Sequence, residues 1–414
     1  MNKISKCRIC GNNNLVTVLN LGNQYLTSIF PNIKEKDSLE LYPLELVKCH
    51  GNHGCCNLVQ LNHSVEKNLM YSQNYGYRSG LNISMIRHLK KKILNIQKTV
   101  DFIKGDIVLD IGSNDGTTLS FYDQKLKRIG IDPTAKKFKE YYNRDIVIIE
   151  NYFSSKLIKQ HIGTKKIKAI TSLSMFYDLD NPLAFSKEIS EILDPDSGIW
   201  ILEQSYLPEM LKKLSFDTIC HEHLEYYSLS QIDWIAKNSG MKIVDVSFNE
   251  VNGGSFSVMV CNEKSQKYNT SDTVYRILKL EKQIGLTDLV IFRRFAQEVR
   301  RFKKNLKNFL DKIKQSKKKI LGIGASTKGN VILQYCDINP NIIPAIGEIN
   351  SEKFGKYTPG SWIKIIDEKK IFEQNPDLLL ILPWHFKNFF ENEEKYRRFD
   401  LLFPLPKIHV LKKR

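Results

Sequence analysis

The chain has 414 residues, 42% hydrophobic and 26% charged, and its 62 Lys and Arg against 45 Asp and Glu give a formal net charge of +17. This length accommodates two or three domains, and the charge favours an anionic partner. The lysines are spread along the chain, without the aromatic-interleaved basic stripe of a nucleic-acid-binding surface, so we expect no nucleic-acid partner. No apolar run approaches the roughly 18 residues of a membrane span. Residues 1–14 lack the apolar region of a secretion signal, which predicts a cytoplasmic protein without a membrane partner.

The N-terminal block is rich in cysteine. Five of the eight cysteines lie in the first 56 residues: Cys7, Cys10, Cys49, Cys55 and Cys56. In a cytoplasmic chain this clustering indicates a metal site rather than disulfides. Cys7 and Cys10 have the spacing of one half of a zinc site, and we expect Cys49 and Cys56 to complete it. Cys55 competes with Cys56, and His50 and His53 could also substitute. Four protein ligands would make this a closed, structural zinc site.

The second block, from about Tyr71 to Cys261, alternates short apolar runs with amphipathic segments, which predicts a mostly parallel α/β sheet. Ile107–Ile111 is predicted to be a buried strand that enters a glycine-rich turn. This turn has neither the complete GxGxxG pattern nor the Gly-Lys-Ser/Thr of a P-loop. An acidic residue at the end of the second strand is placed to bind a ribose diol. The pattern is more typical of S-adenosylmethionine binding than of NAD binding, and it predicts contacts from Asp110, Gly112, Asn114, Asp115, Gly116 and Asp132.

The third block follows a charged helical region at about residues 271–314. It opens with a second strand, glycine-rich turn and helix. Backbone N–H groups and a lysine at a helix N-terminus suit a phosphate or pyrophosphate. Glu348 follows Gly324 by 24 residues, so a dinucleotide ligand stays open at this point. We expect a second, smaller α/β unit whose ligand contacts come from Gly322, Gly324, Lys328 and Asn330.

The segment Phe216–Gly240 concentrates titratable side chains. His221 and His223 are two residues apart, not four as in a zincin helix. Ser228 and Ser230 are followed three residues later by Gln231 and Asp233, and both pairs have the spacing of a capping box. The segment "HEHLEYY" is therefore predicted to be a loop that enters a helix ending at Gly240. This loop follows the fifth predicted strand, at the edge of the sheet where ligands bind. That position favours an acid–base site over a solvated loop.

Eight segments in one order resemble the sugar C-methyltransferases, which act on nucleotide-linked 4-keto-6-deoxysugars: "CRIC…YPLELVKC…CCNLVQL", "GYRSGLN", "LDIGSNDGT", "GIDP", "TICHEHLEYYSL", "NGGSF", "GIGASTKGN" and "KYTPGS". The resemblance covers nearly the whole chain. It implies a zinc-binding domain at residues 1–66, an S-adenosylmethionine-dependent methyltransferase domain at 67–264, and a Rossmann-like domain at 265–414 that helps hold the nucleotide sugar. Two positions depart from the family pattern, since Cys220 stands in place of a tyrosine and Ser257 in place of an arginine.

The chemistry of carbon methylation requires a base. A carbon attacks a sulfonium methyl only as a carbanion equivalent, so a proton next to a ketone must be removed and the enolate oxygen stabilised. The resemblance assigns the base to His223 through the family's Glu-His pair. It implies that Glu222 orients His223 and that Tyr77 and His221 assist. Spacing alone does not decide whether His223, His221 or Tyr77 is the base.

The expected function is methyl transfer from S-adenosylmethionine to a carbon, C3, of a nucleotide-linked 4-keto-deoxysugar. One alternative is an O- or N-methyltransferase acting on a nucleotide sugar, because oxygen and nitrogen need no carbanion. Another is an RNA methyltransferase, which would use the basic charge but leave the histidine cluster unexplained. A third, a non-catalytic nucleotide-sugar binding protein, disagrees with the intact turn "DIGSNDG". The sequence leaves the oligomeric state open.

Overall fold

The structure, a computed structural model, describes residues 1–51, 54–66, 69 and 78–413. Tyr77, a predicted catalytic residue, and His53, an alternative metal ligand, lie outside the described residues. Within the described ranges, no helix has the length and apolar composition needed to cross a membrane.

The N-terminal part folds into antiparallel sheets. Its strands are β1 (Asn2–Lys3), β2 (Leu15–Gln24), β3 (Tyr42–Cys49), β4 (Val59–Leu61) and β5 (His63–Ser64), and a distant segment supplies β11 (Glu225–Tyr226). β1 pairs with β5, and the other four form a sheet in the order β11-β4-β3-β2. The segment "HEHLEYY", residues 221–227, is the histidine loop. β11 begins two residues after His223, so this loop is joined to the N-terminal sheet by backbone hydrogen bonds.

The central sheet has seven strands: β6 (Ile107–Ile111), β7 (Lys127–Ile131), β8 (Val147–Ile149), β9 (Ile167–Leu173), β10 (Ile199–Ser205), β12 (Met241–Asn249) and β13 (Ser255–Asn262). Their order is β12-β13-β10-β9-β6-β7-β8, and β13 is antiparallel to both of its neighbours. The predicted strand Ile107–Ile111 is confirmed. The strand order reverses between β6 and β9, which opens a crevice at their carboxyl ends, where α/β sheets bind ligands.

Helices cover this sheet: α1 (Ile83–Thr99), α2 (Thr117–Ser120), α3 (Ala135–Phe138), α4 (Ser155–Ile162), α5 (Pro182–Ile192), α6 (Leu207–Lys212), α7 (Leu229–Asn238) and α8 (Asp272–Ile284). Of the two predicted capping boxes, that of Ser228 and Gln231 is present at the start of α7, whereas Ser230 lies inside the helix. α7 buries Ile232, Ile235 and Ala236 on one face. The predicted charged helical region at about residues 271–314 is helical and consists of α8 and a second helix at Val290–Gln315; Gly285 ends α8 in the left-handed conformation with φ of 80°.

The C-terminal part begins with α9 (Val290–Gln315) and contains β14 (Ile320–Ile323), α10 (Thr327–Tyr335), β15 (Ala345–Glu348), β16 (Lys364–Asp367), α11 (Glu368–Glu373), β17 (Leu378–Ile381), α12 (Lys387–Asn392), β18 (Asp400–Phe403) and β19 (His409–Leu411). The strand order is β16-β15-β14-β17-β18-β19, and only β19 is antiparallel to its neighbour. One hydrophobic core joins this domain to the N-terminal sheet and to Phe216. The histidine loop therefore lies where the three parts of the chain meet.

Candidate active site

A cavity of about 330 Å³ opens at the carboxyl ends of β6 and β9. Its polar lining includes Asp110, Asn114 and Asp132, and its apolar lining includes Leu89 and Phe153. The volume is that of a small-molecule site. Two carboxylates beside apolar walls fit a ligand that combines a cationic amino acid, a ribose and a base. Gly112 also lines this cavity, whereas Asp115 and Gly116 do not.

Asp132 follows the second strand of the sheet, as predicted. Its carboxylate accepts hydrogen bonds from the backbone N–H of Asn114 at 2.9 Å and of Thr134 at 2.6 Å. The Thr134 hydroxyl also donates to this carboxylate, at 2.6 Å. These bonds fix the orientation of the carboxylate at the cavity wall.

Asp110 is almost completely buried at the end of β6, and its carboxylate accepts a hydrogen bond from the Thr171 hydroxyl. Burial raises the pKa of Asp110 to about 7, because a charged carboxylate is poorly solvated there. The group is thus poised between its neutral and charged forms near neutral pH. A cationic ligand in the cavity would favour the charged form.

The remaining turn residues hold the segment that leads into α1. The Ser79 N–H donates to the Asn114 side chain at 3.0 Å, and the Gly80 N–H donates to Asp115 at 2.8 Å. Gly116 is left-handed with φ of 75°, and a Cβ there would lie 2.6 Å from the Tyr142 ring. Asp115 and Gly116 therefore shape the cavity indirectly.

His223 makes an informative hydrogen bond. Its Nδ1 lies 2.8 Å from the carbonyl oxygen of Thr218. A carbonyl only accepts, so Nδ1 carries the proton and Nε2 of the neutral ring is unprotonated. Burial lowers the pKa of His223 to about 4, an effect that Glu222 opposes and Lys328 reinforces. The imidazole is consequently neutral at physiological pH and can accept a proton at Nε2.

A short turn connects His223 to the cofactor cavity. The Tyr177 ring lies against the His223 ring, with a centroid separation of 4.3 Å and an interplanar angle of 63°. The Tyr177 carbonyl accepts a hydrogen bond from the Leu224 N–H at 2.8 Å. Met175 and Asp178, in the same turn, line the cavity. The predicted base is thus next to the wall of the predicted cofactor site.

Glu222 and His221 both contact the N-terminal part. The Thr27 hydroxyl lies 3.5 Å from the buried Glu222 carboxylate. His221 is buried, and its Nε2 donates to the Tyr42 carbonyl at 3.2 Å. Burial also lowers the pKa of His221. The two histidines point to different partners, and His221 is turned towards β3.

The predicted substrate residues of the C-terminal domain have different environments. Gly322 is inside β14, where a Cβ would lie 2.6 Å from Ile346. Gly324 is left-handed with φ of 81° and lies against Pro383. The Asn330 side chain is fully buried and donates to the Thr27 carbonyl at 2.7 Å. Lys328 donates to the Asn252 carbonyl at 2.6 Å. Lys328 and Asn330 thus join the C-terminal domain to the other two parts.

Sequence reasoning missed two groups. Asp217 is fully buried and accepts a hydrogen bond from the Trp384 indole at 2.7 Å. Glu203, at the end of β10, lines the cofactor cavity and pairs with His88 and Lys92, each at 2.6 Å. Glu203 could have been found as an acid at the end of a predicted strand. The hydrogen bond between Asp217 and Trp384 joins two domains, so no pattern of neighbouring residues in the sequence predicts it.

The four predicted metal ligands come together. The sulfur atoms of Cys7, Cys10, Cys49 and Cys56 all lie within 4.8 Å of one another. Tetrahedral zinc, with Zn–S bonds of about 2.3 Å, requires sulfurs roughly 3.8 Å apart, so the cluster fits this ion. Cys55 lies outside the cluster and contacts the Gly51 carbonyl at 3.5 Å. The geometry therefore selects Cys56 over Cys55.

Three family models match successive parts of the chain: "Putative zinc binding domain" at residues 7–71, "Methyltransferase domain" at 83–246 and "C-methyltransferase C-terminal domain" at 250–406. The curated C-methyltransferase NovU of Streptomyces niveus is 27% identical over 414 residues, spanning 98% of this chain and 97% of its own length.

Solved structures show a partial likeness in fold. One is the complex between the Haloferax volcanii Trm112 methyltransferase activator and its methyltransferase, with 14% identity, a TM-score of 0.34, and coverage of 44% of this chain and 95% of that one. Another is an S-adenosylmethionine-dependent methyltransferase from Clostridium acetobutylicum, with 12% identity, a TM-score of 0.31, and coverage of 43% and 92%.

Proposed function

The chain belongs to the S-adenosylmethionine-dependent C-methyltransferases that have an N-terminal zinc-binding domain, and on this premise we propose that it methylates C3, next to the keto group of a nucleotide-linked 4-keto-deoxysugar. Its cofactors are S-adenosylmethionine and a structural zinc ion. The observation that supports the proposal best is the His223–Thr218 hydrogen bond, because it leaves Nε2 of a half-buried, neutral imidazole free to accept a proton.

We assign the general base to Nε2 of His223. The proton to be removed lies next to a ketone, and its loss leaves negative charge on the keto oxygen. Glu222, the preceding residue, is a buried carboxylate whose charge favours the imidazolium that forms. S-adenosylmethionine supplies a methyl group on a cationic sulfur, which the resulting carbon nucleophile can attack.

The cofactor would occupy the cavity at the carboxyl ends of β6 and β9. We assign its ribose hydroxyls to Asp132 and its methionyl end to Asp110, since Asp132 ends the second strand and Asp110 the first. The remaining predicted cofactor residues, Gly112, Asn114, Asp115 and Gly116, form or support the turn between them.

The nucleotide would occupy the second crevice, at the carboxyl ends of β14 and β17. There the N–H groups at the start of α10, after Gly324, suit a diphosphate. Lys353 adds a positive charge, with its Nζ 2.7 Å from the Ala325 carbonyl and 3.5 Å from Glu348. We expect the sugar to extend towards His223, because Lys328, in the first turn of α10, lies close enough for its charge to act on that ring.

The decisive experiment incubates the enzyme with S-adenosylmethionine and a panel of nucleotide 4-ketosugars, and locates the new methyl group by mass spectrometry and NMR. His223→Ala should lower kcat by roughly 10²–10⁴-fold, as expected for loss of a general base, while both ligands still bind. His161→Ala is the control, since His161 is exposed on α4. A methyl group found on oxygen or nitrogen, or on RNA instead of the sugar, would contradict the proposal.

A second measurement isolates the base. In heavy water with S-adenosylhomocysteine, which carries no methyl group to transfer, the wild type should exchange the proton next to the ketone for deuterium. His223→Ala should not. Undiminished exchange in this variant would transfer the assignment to His221 or Tyr77.

A further inference from the structure

Lys328 occupies an unusual position for a phosphate-binding lysine. It lies in the first turn of α10, whose N-cap Ser326 accepts a hydrogen bond from the Gly329 N–H at 3.1 Å. Its side chain extends away from this turn to the Asn252 carbonyl, 2.6 Å from Nζ. Asn252 and the two glycines after it are all left-handed, with φ of 56°, 90° and 132°. The ammonium is thus held at a constrained turn of the methyltransferase domain.

The groups around this ammonium come from both domains. Gly253 packs near Trp384 and His385, where a Cβ would lie 3.8 and 3.7 Å away, respectively. Trp384 in turn donates to Asp217 at 2.7 Å. Asp217 is fully buried, and the charge of Lys328 acts on it to oppose the effect of burial on the pKa of its carboxyl. Lys328 therefore lies near Asp217 without being in direct contact with it.

Lys328 also has unused hydrogen-bonding capacity. An ammonium has three N–H donors, and the contact with Asn252 uses one of them. Within the described part of the chain, no carboxylate lies close enough to form an ion pair with Lys328, and no second hydrogen-bond acceptor is present. Burial lowers the pKa of Lys328, and the nearby Asp217 and Cys220 only partly oppose this effect, so the charge of Lys328 is incompletely compensated. Such a group is suited to bind a developing negative charge.

His223 faces the same junction. The residue after Asp217 is Thr218, whose carbonyl takes the Nδ1 proton of His223. The positive charge of Lys328 contributes, after burial, to the low pKa of His223. A neutral base and an incompletely compensated cation therefore lie near one another where the methyltransferase and C-terminal domains meet.

We propose that Nζ of Lys328 donates a hydrogen bond to the keto oxygen of the substrate and stabilises the enolate that forms when His223 removes the neighbouring proton. This inference rests on the proposed function and assigns the Lys328 side chain to the reacting sugar, leaving the diphosphate to the α10 backbone and Lys353.

In the first step the C–H bond breaks, its proton moves to Nε2 of His223, and its electron pair forms the enolate C=C bond as the keto oxygen becomes negative. In the second step the carbonyl reforms as the carbon bonds to the methyl group, and the sulfonium sulfur keeps the electron pair of the broken S–C bond. His223 then releases the proton to solvent.

The test compares Lys328→Met with Lys353→Met, using deuterium exchange in the presence of S-adenosylhomocysteine and calorimetry with a nucleoside diphosphate. Removing an enolate-stabilising donor typically costs roughly 10²–10³-fold in rate. Lys328→Met should slow exchange by that factor at saturating substrate, with nucleoside diphosphate affinity within about twofold of wild type. Lys353→Met should show the reverse, with weaker nucleotide binding and nearly normal exchange at saturation.

Loss of nucleotide affinity in Lys328→Met, with exchange restored at saturation, would overturn the inference in favour of a diphosphate contact. If Lys328→Met fails to bind S-adenosylmethionine, Lys328→Arg and Lys328→Gln are compared instead. The charged variant, Lys328→Arg, should exchange deuterium at least about tenfold faster than Lys328→Gln. Equal exchange rates would overturn the inference. Failure of the proposed function is distinguishable, because the wild type would then neither exchange nor methylate any ketosugar.

Discussion

The side-chain amide of Gln231 donates a hydrogen bond to the backbone carbonyl of Cys56 at 2.9 Å. This bond joins the last cysteine of the metal cluster to the first turn of α7, directly after the histidine loop. Arg8, between the first two cysteines, donates to the Leu61 carbonyl at 2.6 Å and lies 3.8 Å from Glu225 of β11. The metal site therefore supports the histidine loop through at least two contacts.

Removing the metal should loosen this loop. Without an ion, four buried or half-buried thiols have no common partner, and the segments they hold lose their anchor. We expect chelation to increase amide hydrogen exchange in residues 218–231 while affecting β6 and β7 far less. Hydrogen exchange with mass spectrometry measures this directly. Unchanged protection of the loop after complete metal removal would show that the two sites are independent.

The two adjacent cysteines provide a matched pair for the metal site. Cys56→Ser removes a sulfur from the cluster, whereas Cys55→Ser removes one that lies outside it. We expect about one zinc per chain in the wild type and in Cys55→Ser, and a large loss of zinc and of thermal stability in Cys56→Ser. Metal analysis of the freshly purified proteins checks this. The opposite ranking would place Cys55 in the site.

A side chain at position 116 should lower the free energy of unfolding. The left-handed backbone of Gly116 costs roughly 1–2 kcal/mol for an L-residue, and an added Cβ would meet the Tyr142 ring at 2.6 Å. Gly285→Ala is the control, because Gly285 has a similar φ of 80° but its nearest neighbour is the flexible Asp288 carboxylate at 3.3 Å. We expect Gly116→Ala to lose about 1–3 kcal/mol more stability than the control, as in other overpacked sites.

S-adenosylmethionine affinity provides a second measure of the same variant. Tyr142 donates to the Asn114 carbonyl at 2.8 Å, so displacing its ring would disturb the turn that lines the cofactor cavity. Gly116→Ala should weaken cofactor binding, and Gly285→Ala should not. Equal losses of stability and unchanged binding would show that the ring moves aside at no cost.

How much the sequence predicts depends on how local the signal is. The strand Ile107–Ile111 and the capping box of α7 are encoded by neighbouring residues, and both are confirmed. β11 is only two residues long, and its partner β4 lies in the N-terminal domain, so no alternation of apolar and polar residues predicts this strand. The Lys328–Asn252 contact likewise exists only because two domains pack together. Residue types at the candidate site were predictable, whereas their partners were not.

Cofactor binding should release a proton near neutral pH. Burial raises the pKa of Asp110 to about 7, so the free enzyme holds the carboxyl partly protonated, and a cationic ligand favours its ionised form. Affinity for S-adenosylmethionine should therefore increase as the pH rises through 7. Calorimetry in buffers with different ionisation enthalpies counts the released protons. Asp110→Asn should abolish the release and Asp132→Asn should retain it, and an undiminished release from Asp110→Asn would assign the proton to another group.

The acid dependence of catalysis should reflect the low pKa of the half-buried His223 imidazole. Since burial lowers the pKa of His223 to about 4, the base stays neutral well below the ordinary value of about 6.5. We therefore expect the protonation of His223 to leave kcat/KM unchanged between pH 5 and 7 and to lower it only as the pH drops through about 4. If kcat/KM falls in acid with a pKa near 6.5 while the deuterium-exchange rate does not, the titrating group is not His223. If both quantities fall with that pKa, His223 is solvated in the folded enzyme.

The same pKa predicts how stability responds to acid. Between pH 6.5 and about 4, His223 is protonated in the unfolded chain but neutral in the folded one, so unfolding takes up a proton. The free energy of unfolding should therefore fall with decreasing pH across this window, by up to about 1.4 kcal/mol per pH unit for a single group. Below about pH 4 both states are protonated and this contribution is constant.

His223→Gln cannot titrate, so its unfolding free energy, measured by denaturant titration, should decline less steeply between pH 6.5 and 5 than that of the wild type. Parallel declines would mean that the imidazole is accessible to water in the folded enzyme, which would remove the physical basis for a base poised at Nε2.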